Sequence, residues 1–231
     1  MQKIVVVTGV SRGLGLELCR QYLAQGAKVY GCCRSPEQSQ KLLELKRNAG
    51  YQFELVPLDI TQPGMIHNLQ YVIEEPIDIL INNAGIYGPF GLSYDEVTVD
   101  PWMEVLRVNS VAPMMVTQAL VEKVAQSHEK KIIMMSSKMG SMGDNQKGGS
   151  YIYRSAKAAL NAVAKSLAID LAGEGISVGV LHPGWVQTDM GGVNAPIDTE
   201  TSIRGVRKVI DQLSLKNSGQ FINYDGSVIP W

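Results

Sequence analysis

Ile4-Val5-Val6-Val7 is an unbroken β-branched run that passes through Thr8 into Gly9-Val10-Ser11-Arg12-Gly13-Leu14-Gly15. A run with no polar alternation predicts a strand covered on both faces, as in a parallel sheet. The glycines predict a tight turn into a helix over residues 13–25, where Leu14, Leu18, Tyr22 and Leu23 fall at helical spacing before Gly26. This order constrains the chain more than any other feature. It brings backbone amides and a helix N-terminus to one point, where the charge of a phosphate can be held.

The same alternation continues. Strands are expected at about 28–33, 53–58, 77–81, 131–135 and 177–181, with a short last one at 221–222. Helices fill the gaps, the longest over 101–127 and 151–172. Strands alternating with helices predict an α/β, doubly wound parallel sheet (a Rossmann fold), and with no repeat or linker the 231 residues read as one domain. Charged residues are 19% and hydrophobic ones 45%, against roughly 25% charged in an average soluble chain, which argues against disorder. A net charge of −1 lacks the basic excess of a nucleic-acid binder. No apolar stretch approaches the ~18 residues of a membrane span, and the first apolar run is too short for a signal peptide. The three cysteines, Cys19, Cys32 and Cys33, supply neither a disulfide framework nor a zinc spacing, so no metal is expected and a reduced, cytoplasmic setting is.

The second strand decides the type of dinucleotide. An NAD site usually ends that strand with Asp or Glu for the ribose hydroxyls. Here the sequence is Cys32-Cys33-Arg34-Ser35. Arg34, with Arg12 inside the glycine turn, could hold a 2′-phosphate through charge-assisted hydrogen bonds, which favours NADP(H). The alternative is that both arginines are simply solvated.

Tyr153-Arg154-Ser155-Ala156-Lys157 opens the second long helix. Residues i and i+4 share a face, so a phenol and an ammonium become neighbours, and a nearby positive charge would lower the phenol's pKa from about 10 toward a working pH. Ser136 and Ser137 follow the fifth strand, at the sheet edge where such folds bind ligands. Either hydroxyl could bond a carbonyl oxygen, and Ser136 reads more simply as a strand-end turn residue. Asn109 lies inside the other long helix, where Asn is a poor residue. Pro113, four residues on, cannot donate to the Asn109 carbonyl, which leaves that acceptor free for a water or marks a kinked surface helix.

Together these segments resemble the short-chain dehydrogenase/reductase family over essentially the whole chain. The pieces that carry the resemblance are Thr8 to Gly15, Asn82-Asn83-Ala84-Gly85, Asn109, Ser137, Tyr153 with Lys157, and Pro183-Gly184-Trp185-Val186-Gln187-Thr188. The resemblance selects Ser137 through Gly140 and implies a tetrad of Asn109, Ser137, Tyr153 and Lys157. It implies Tyr153 as general acid, Ser137 orienting the carbonyl, Lys157 lowering the Tyr pKa and bonding ribose, and the Asn109 carbonyl holding a water. For the cofactor it implies Gly9, Ser11, Arg12, Gly13, Leu14 and Arg34, then Asp59 and Ile60 near adenine, Asn82, Asn83, Ala84 and Gly85 along its edge, Tyr153 and Lys157, and Pro183, Gly184, Val186 and Thr188. Ile86 and Val108 read as apolar neighbours of it or as core.

The stretch from Gly148 to Lys157 and the ending Tyr224 to Trp231 are similar to the sniffer and C-factor group of carbonyl reductases. The Ser137-to-Tyr153 interval is about three residues longer than in the wider family, with the extra length near Asp144-Asn145-Gln146-Lys147. Tyr87, Met139, Met142, Trp185 and Met190 are expected to line an apolar pocket for a small ketone or aldehyde, or to be core packing. Residues 189–199, with Gly191-Gly192 and Pro196, read as a lid or a plain surface loop. His67, His128 and His182 form no triad. Ala158, Ala159, Ala162, Ala164 and Ala168 leave a helix face suited to close packing, and with the family likeness they imply a homodimer or homotetramer. The expected activity is NADPH-dependent carbonyl reduction. A cofactor-binding signalling protein on the same fold and an NAD-dependent alcohol dehydrogenase are the competing readings.

Overall fold

Val5 and Val7 face one layer of helices and Val6 faces the other, so the first strand is apolar on both sides. The computed structural model describes residues 2–231 and builds the rest of the sheet around that strand. Strands β1 (Ile4–Thr8), β2 (Lys28–Cys33), β3 (Phe53–Pro57), β4 (Ile79–Asn82), β5 (Lys131–Met135), β6 (Ser177–His182) and β7 (Phe221–Asn223) lie in the order β3-β2-β1-β4-β5-β6-β7. Every neighbouring pair is parallel. The chain winds outward from β1 to β3 and then returns to place β4 against β1. The crevice at their C-terminal ends is the switch point, where open α/β sheets bind ligands.

Helices α1 (Gly13–Leu23), α2 (Gln40–Ala49), α3 (Pro63–Val72), α4 (Val99–Leu106), α5 (Ala112–Ala125), α6 (Tyr151–Asp170) and α7 (Thr199–Gln212) fill the two faces. One apolar layer joins Val6, Leu80, Ile132 and Val178 to Leu69, Leu120 and Leu160, and so seats α3, α5 and α6. The other joins Val5, Val29, Ile79 and Ile133 to Leu18, Leu42 and Ile210, and so seats α1, α2 and α7. All three cysteines are buried and free.

Two expectations change in detail. The fourth strand begins at Ile79, not 77, because Asp78 turns its carboxylate back to accept from Ile4 N at 2.8 Å. The expected helix over 101–127 divides into α4 and α5, separated by one π turn over Arg107–Val111. Pro113 has no amide to donate to the Asn109 carbonyl, and the helix widens by one π turn around that residue. Asn109 is fully buried, which excludes a kinked surface helix.

Candidate active site

The glycine turn is shaped by what it lacks. Gly9 has a φ of +75°, and a Cβ there would lie 2.7 Å from the Ala84 backbone. A Cβ on Gly15 would lie 2.2 Å from the Gly9 carbonyl oxygen, so helix and turn close on each other only without side chains. Asn83 braces this contact by donating to Thr8 O at 2.9 Å and Gly9 O at 3.2 Å. The Thr8 hydroxyl accepts from the amides of Asn83 and Ala84 at 3.0 and 3.1 Å. The side chain of Asn83, expected to face the cofactor, is thus spent on the turn, and the bracing role of Thr8 was not foreseen. Gly85 sits one step further on, where a Cβ would lie 3.1 Å from Asn109 Oδ1 and 3.7 Å from Lys157 Nζ.

The α1 N-terminus has neither a side-chain cap nor an acidic residue in its first turn. Its free amides therefore suit an anion, and the exposed Arg12 and Arg34 lie beside them in sequence and at the end of β2. Ser11 and Leu14 border the turn, Ser11 exposed and accepting from Ser39 Oγ at 3.0 Å, Leu14 packed into the α1 layer. Arg12 pairs with Asp189 at 2.9 Å, with both side chains largely exposed. Asp59 accepts from Thr61 N and Thr61 Oγ1 at 2.9 and 2.7 Å, bonds that hold its carboxyl below the usual range, with Arg34 adding a smaller effect. Ile60 packs against the α3–α5 layer, Ile86 against Val105 and Ile152, and Val108 is core.

After β6, Pro183 O accepts from Ser202 at 2.5 Å, and Gly184 takes a φ of +88° in a space that Ile197 would deny to a side chain. Val186 is buried and bridges Ile197. Thr188 returns to the glycine turn, its methyl 3.4 Å from where a Gly13 Cβ would stand. The end of the segment 189–199 is anchored, since Ile197 O accepts from Gln187 N at 2.9 Å, Asp198 caps α7 and Thr199 is already helical.

Tyr153 and Lys157 lie in the first two turns of α6 and are both buried. The helix starts from Ser150, which holds a left-handed φ of +50° and meets the Tyr87 hydroxyl at 3.0 Å. Ser137 lies two residues past the end of β5, and its hydroxyl accepts from Met139 N at 3.2 Å. Asn109 comes from the π turn. Its side-chain amide accepts from Ile86 N at 2.9 Å and donates to Ile86 O at 2.8 Å, so it fixes the loop after β4. Asn109, Gly85 and Lys157 converge.

The electrostatics depart from the expectation. Burial pushes the Tyr153 phenol up to about 12; the nearby Ser137 hydroxyl opposes this and the neighbouring Tyr87 adds to it. Burial brings Lys157 down to about 8. The ammonium donates to Met135 O at 2.8 Å and lies 5.9 Å from the centre of the Tyr153 ring, so it does not offset the cost of burying a phenolate. The site therefore holds a protonated phenol.

The ring of Tyr153 stacks on Tyr87 at 4.5 Å, and Tyr87 on Phe90 at 4.1 Å. Met190 brings its sulfur to 4.0 Å from Tyr153 Oη. Met139 is half-buried on the Ser137 turn. Trp185 is half-exposed, with its indole donating to Gly191 O at 2.6 Å, and Met142 is mostly exposed. Tyr87 and Met190 thus meet the Tyr153 ring, while Met142 and Trp185 lie toward solvent. Ser136, read as a turn residue, is buried and bonded to Asn161 at 2.5 Å, a partner that sequence reasoning missed. An Asn inside an apolar helix face was the available signal.

The same architecture is found in solved carbonyl reductases. The Sniffer carbonyl reductase of D. melanogaster is 35% identical with a TM-score of 0.91, and the match covers all of both chains. The NADPH-bound carbonyl reductase from chicken fatty liver is 33% identical with a TM-score of 0.90, covering 100% of this chain and 99% of the other. C-signal of Myxococcus xanthus is 40% identical over 156 residues, which are 68% of this chain and 93% of that protein. Residues 3–196 match the short chain dehydrogenase family, and the chain belongs to this family of oxidoreductases.

Proposed function

We propose that the protein is an NADPH-dependent carbonyl reductase acting on a small ketone or aldehyde. The observation that carries this reading is the buried Tyr153 phenol one helical turn from the buried Lys157 on α6, in a chain that matches an NADPH-bound carbonyl reductase over its whole length. The NADPH-bound chicken reductase supports the cofactor, as does the presence of Arg34 where an NAD site would place an acid. Gly9, Gly13 and the free α1 amides would hold the pyrophosphate, Arg12 and Arg34 the 2′-phosphate, and Lys157 the ribose.

When bound, the reduced nicotinamide supplies a hydride to the carbonyl carbon. Ser137 then donates a hydrogen bond to the carbonyl oxygen, and Tyr153 Oη gives its proton to that oxygen as charge develops there. A phenol held above its ordinary pKa stays protonated at neutral pH, the state an acid needs. The π turn at Asn109 presents a backbone carbonyl for a water that restores the proton. Tyr87, Met139 and Met190, with Trp185 at the rim, would border the substrate.

Of the α6 alanines, Ala164 and Ala168 are used in the core, whereas Ala158, Ala159 and Ala162 remain toward the outside with Ile169. That leaves a narrower face than the sequence suggests, and it is the face proposed for a homodimer or homotetramer. Light scattering at micromolar concentration checks it, and a monomer refutes it.

The test of function is a screen of ketones and aldehydes, followed by the loss of NADPH absorbance with NADH in parallel. Turnover with NADPH supports the reading, and turnover with NADH alone overturns the cofactor assignment. A cofactor-binding signalling protein is the second reading, favoured by the 40% identity to C-signal. Tight NADPH binding with no turnover on any carbonyl would select it.

A further inference from the structure

Ser136 and Asn161 lie outside the tetrad, yet their polar atoms meet directly behind it. Asn161 is buried inside α6, where Asn is among the weaker helix formers. It stands four residues after Lys157 and eight after Tyr153, on the helix face that carries both. Its Oδ1 accepts from Ser136 Oγ at 2.5 Å and its Nδ2 donates to Gly140 O at 3.3 Å. One amide therefore grips the segment Ser136–Gly140 at both ends, with Ser137 between.

Other contacts bind the same segment to α6. A Cβ on Gly140 would lie 2.8 Å from the Lys157 carbonyl carbon, so the turn rests on the helix backbone at the residue that carries the buried ammonium. Lys157 donates to Met135 O at 2.8 Å, and Arg154 to Met139 O at 3.3 Å. An aliphatic side chain at 161 could fill the space. The amide carries its donor and its acceptor on separate atoms, so it can hold both ends of the turn and fix it in register along the helix.

We infer that Asn161, acting with Ser136, is a positioning residue that sets where Ser137 stands relative to Tyr153. The inference rests on the proposed roles of Ser137 and Tyr153. Neither Asn161 nor Ser136 touches the reacting atoms. Their effect reaches the chemistry through Ser137 alone.

The test is a cycle of three enzymes beside the wild type: Ser136→Ala with Asn161→Leu, Ser137→Ala, and all three substitutions together. Removing both partners of the Ser136–Asn161 bond is close to neutral for stability while the Gly140 carbonyl loses its donor, so the paired variant is expected to fold with a modestly lower thermal midpoint and the wild-type NADPH affinity. Its kcat on an accepted carbonyl should fall about 10- to 100-fold, the scale of a displacement on the order of 1 Å. In the Ser137→Ala background the pair should cost nothing further, because the group it positions is gone.

An unchanged kcat in the paired variant overturns the inference. So does a loss that persists in full in the Ser137→Ala background, which would mark the pair as general scaffolding. If the paired variant does not fold, Ser136→Ala alone enters the same cycle, with a smaller loss that must also vanish without the Ser137 hydroxyl. Wild-type turnover in Ser137→Ala itself would show that the reading of Ser137 is wrong, and the inference would fall with it.

Discussion

The glycine turn and the α6 cluster border the same crevice and are built on opposite principles. At the turn, function comes from backbone. Gly9 and Gly15 exclude side chains so that amides can approach a ligand, and the charged groups nearby, Arg12 and Arg34, stand in solvent. Around α6, function comes from buried side chains that three separate parts of the chain bring together, and two of them, Tyr153 and Lys157, carry perturbed proton affinities. Binding by backbone and solvated charge asks little of the fold. A dry ammonium beside a dry phenol asks much of it, and the surrounding packing must hold what solvation disfavours.

The sharpest break of this comparison is Lys157→Met. Turnover should fall by about 10²–10⁴-fold, and cofactor affinity should fall with it through the lost ribose contact. Stability should move the other way. Burial lowers Lys157 from its ordinary 10.5 to about 8, which costs the native state on the order of 3 kcal/mol at neutral pH, and the lost bond to Met135 returns about 1 kcal/mol of that. Between pH 8 and 10.5 the unfolded lysine holds a proton that the native one has released, so the native state gains relative stability as pH rises through this range. The advantage of the methionine variant should thus be greatest below pH 8 and close by pH 10.5. Denaturant melts of both proteins across that range check this, and a variant less stable than wild type at pH 7 contradicts it.

A smaller effect is expected at the exposed end. Arg34→Asp removes a charge-assisted contact to the 2′-phosphate and offers an acceptor to ribose hydroxyls. NADPH affinity should drop about 10- to 150-fold while NADH holds or improves. Titration with both cofactors checks this, and an unchanged ratio means that Arg34 does not read the phosphate.

The smallest effect concerns Asp189, which pairs with Arg12. Asp189→Asn frees the guanidinium and should improve NADPH affinity by no more than about fivefold, because exposed pairs are weak. The gain should shrink at high salt. A loss of affinity would mean that Asp189 assists the cofactor site.

The two regions also differ in how much of them the sequence revealed. The strand and glycine turn are contiguous, so β1, the turn and α1 could be read from Ile4 to Leu23 with their use as a phosphate cradle. The tetrad is spread over residues 109–157, and spacing alone left Ser136 and Ser137 open until the family likeness selected one. At Asn109 the sequence shows the missing donor at Pro113 but not the π turn around it. It does not reveal Asn161, whose importance lies in a contact 25 residues away. The effect of Lys157 on Tyr153 was misjudged for a related reason. Helical spacing brings the residues to one face but does not show that the ammonium turns to Met135 O while burial dominates the phenol.

The measurement that bears most directly on this division of labour compares Tyr153→Phe with the wild type for both NADPH binding and carbonyl reduction. The substitution keeps the ring stacked on Tyr87 and removes the proton that the developing alkoxide would take. Reduction should slow by at least about 10²-fold, with NADPH affinity retained, because the phosphates are held by the glycine turn and the arginines. Wild-type turnover by Tyr153→Phe on an accepted carbonyl would contradict the account.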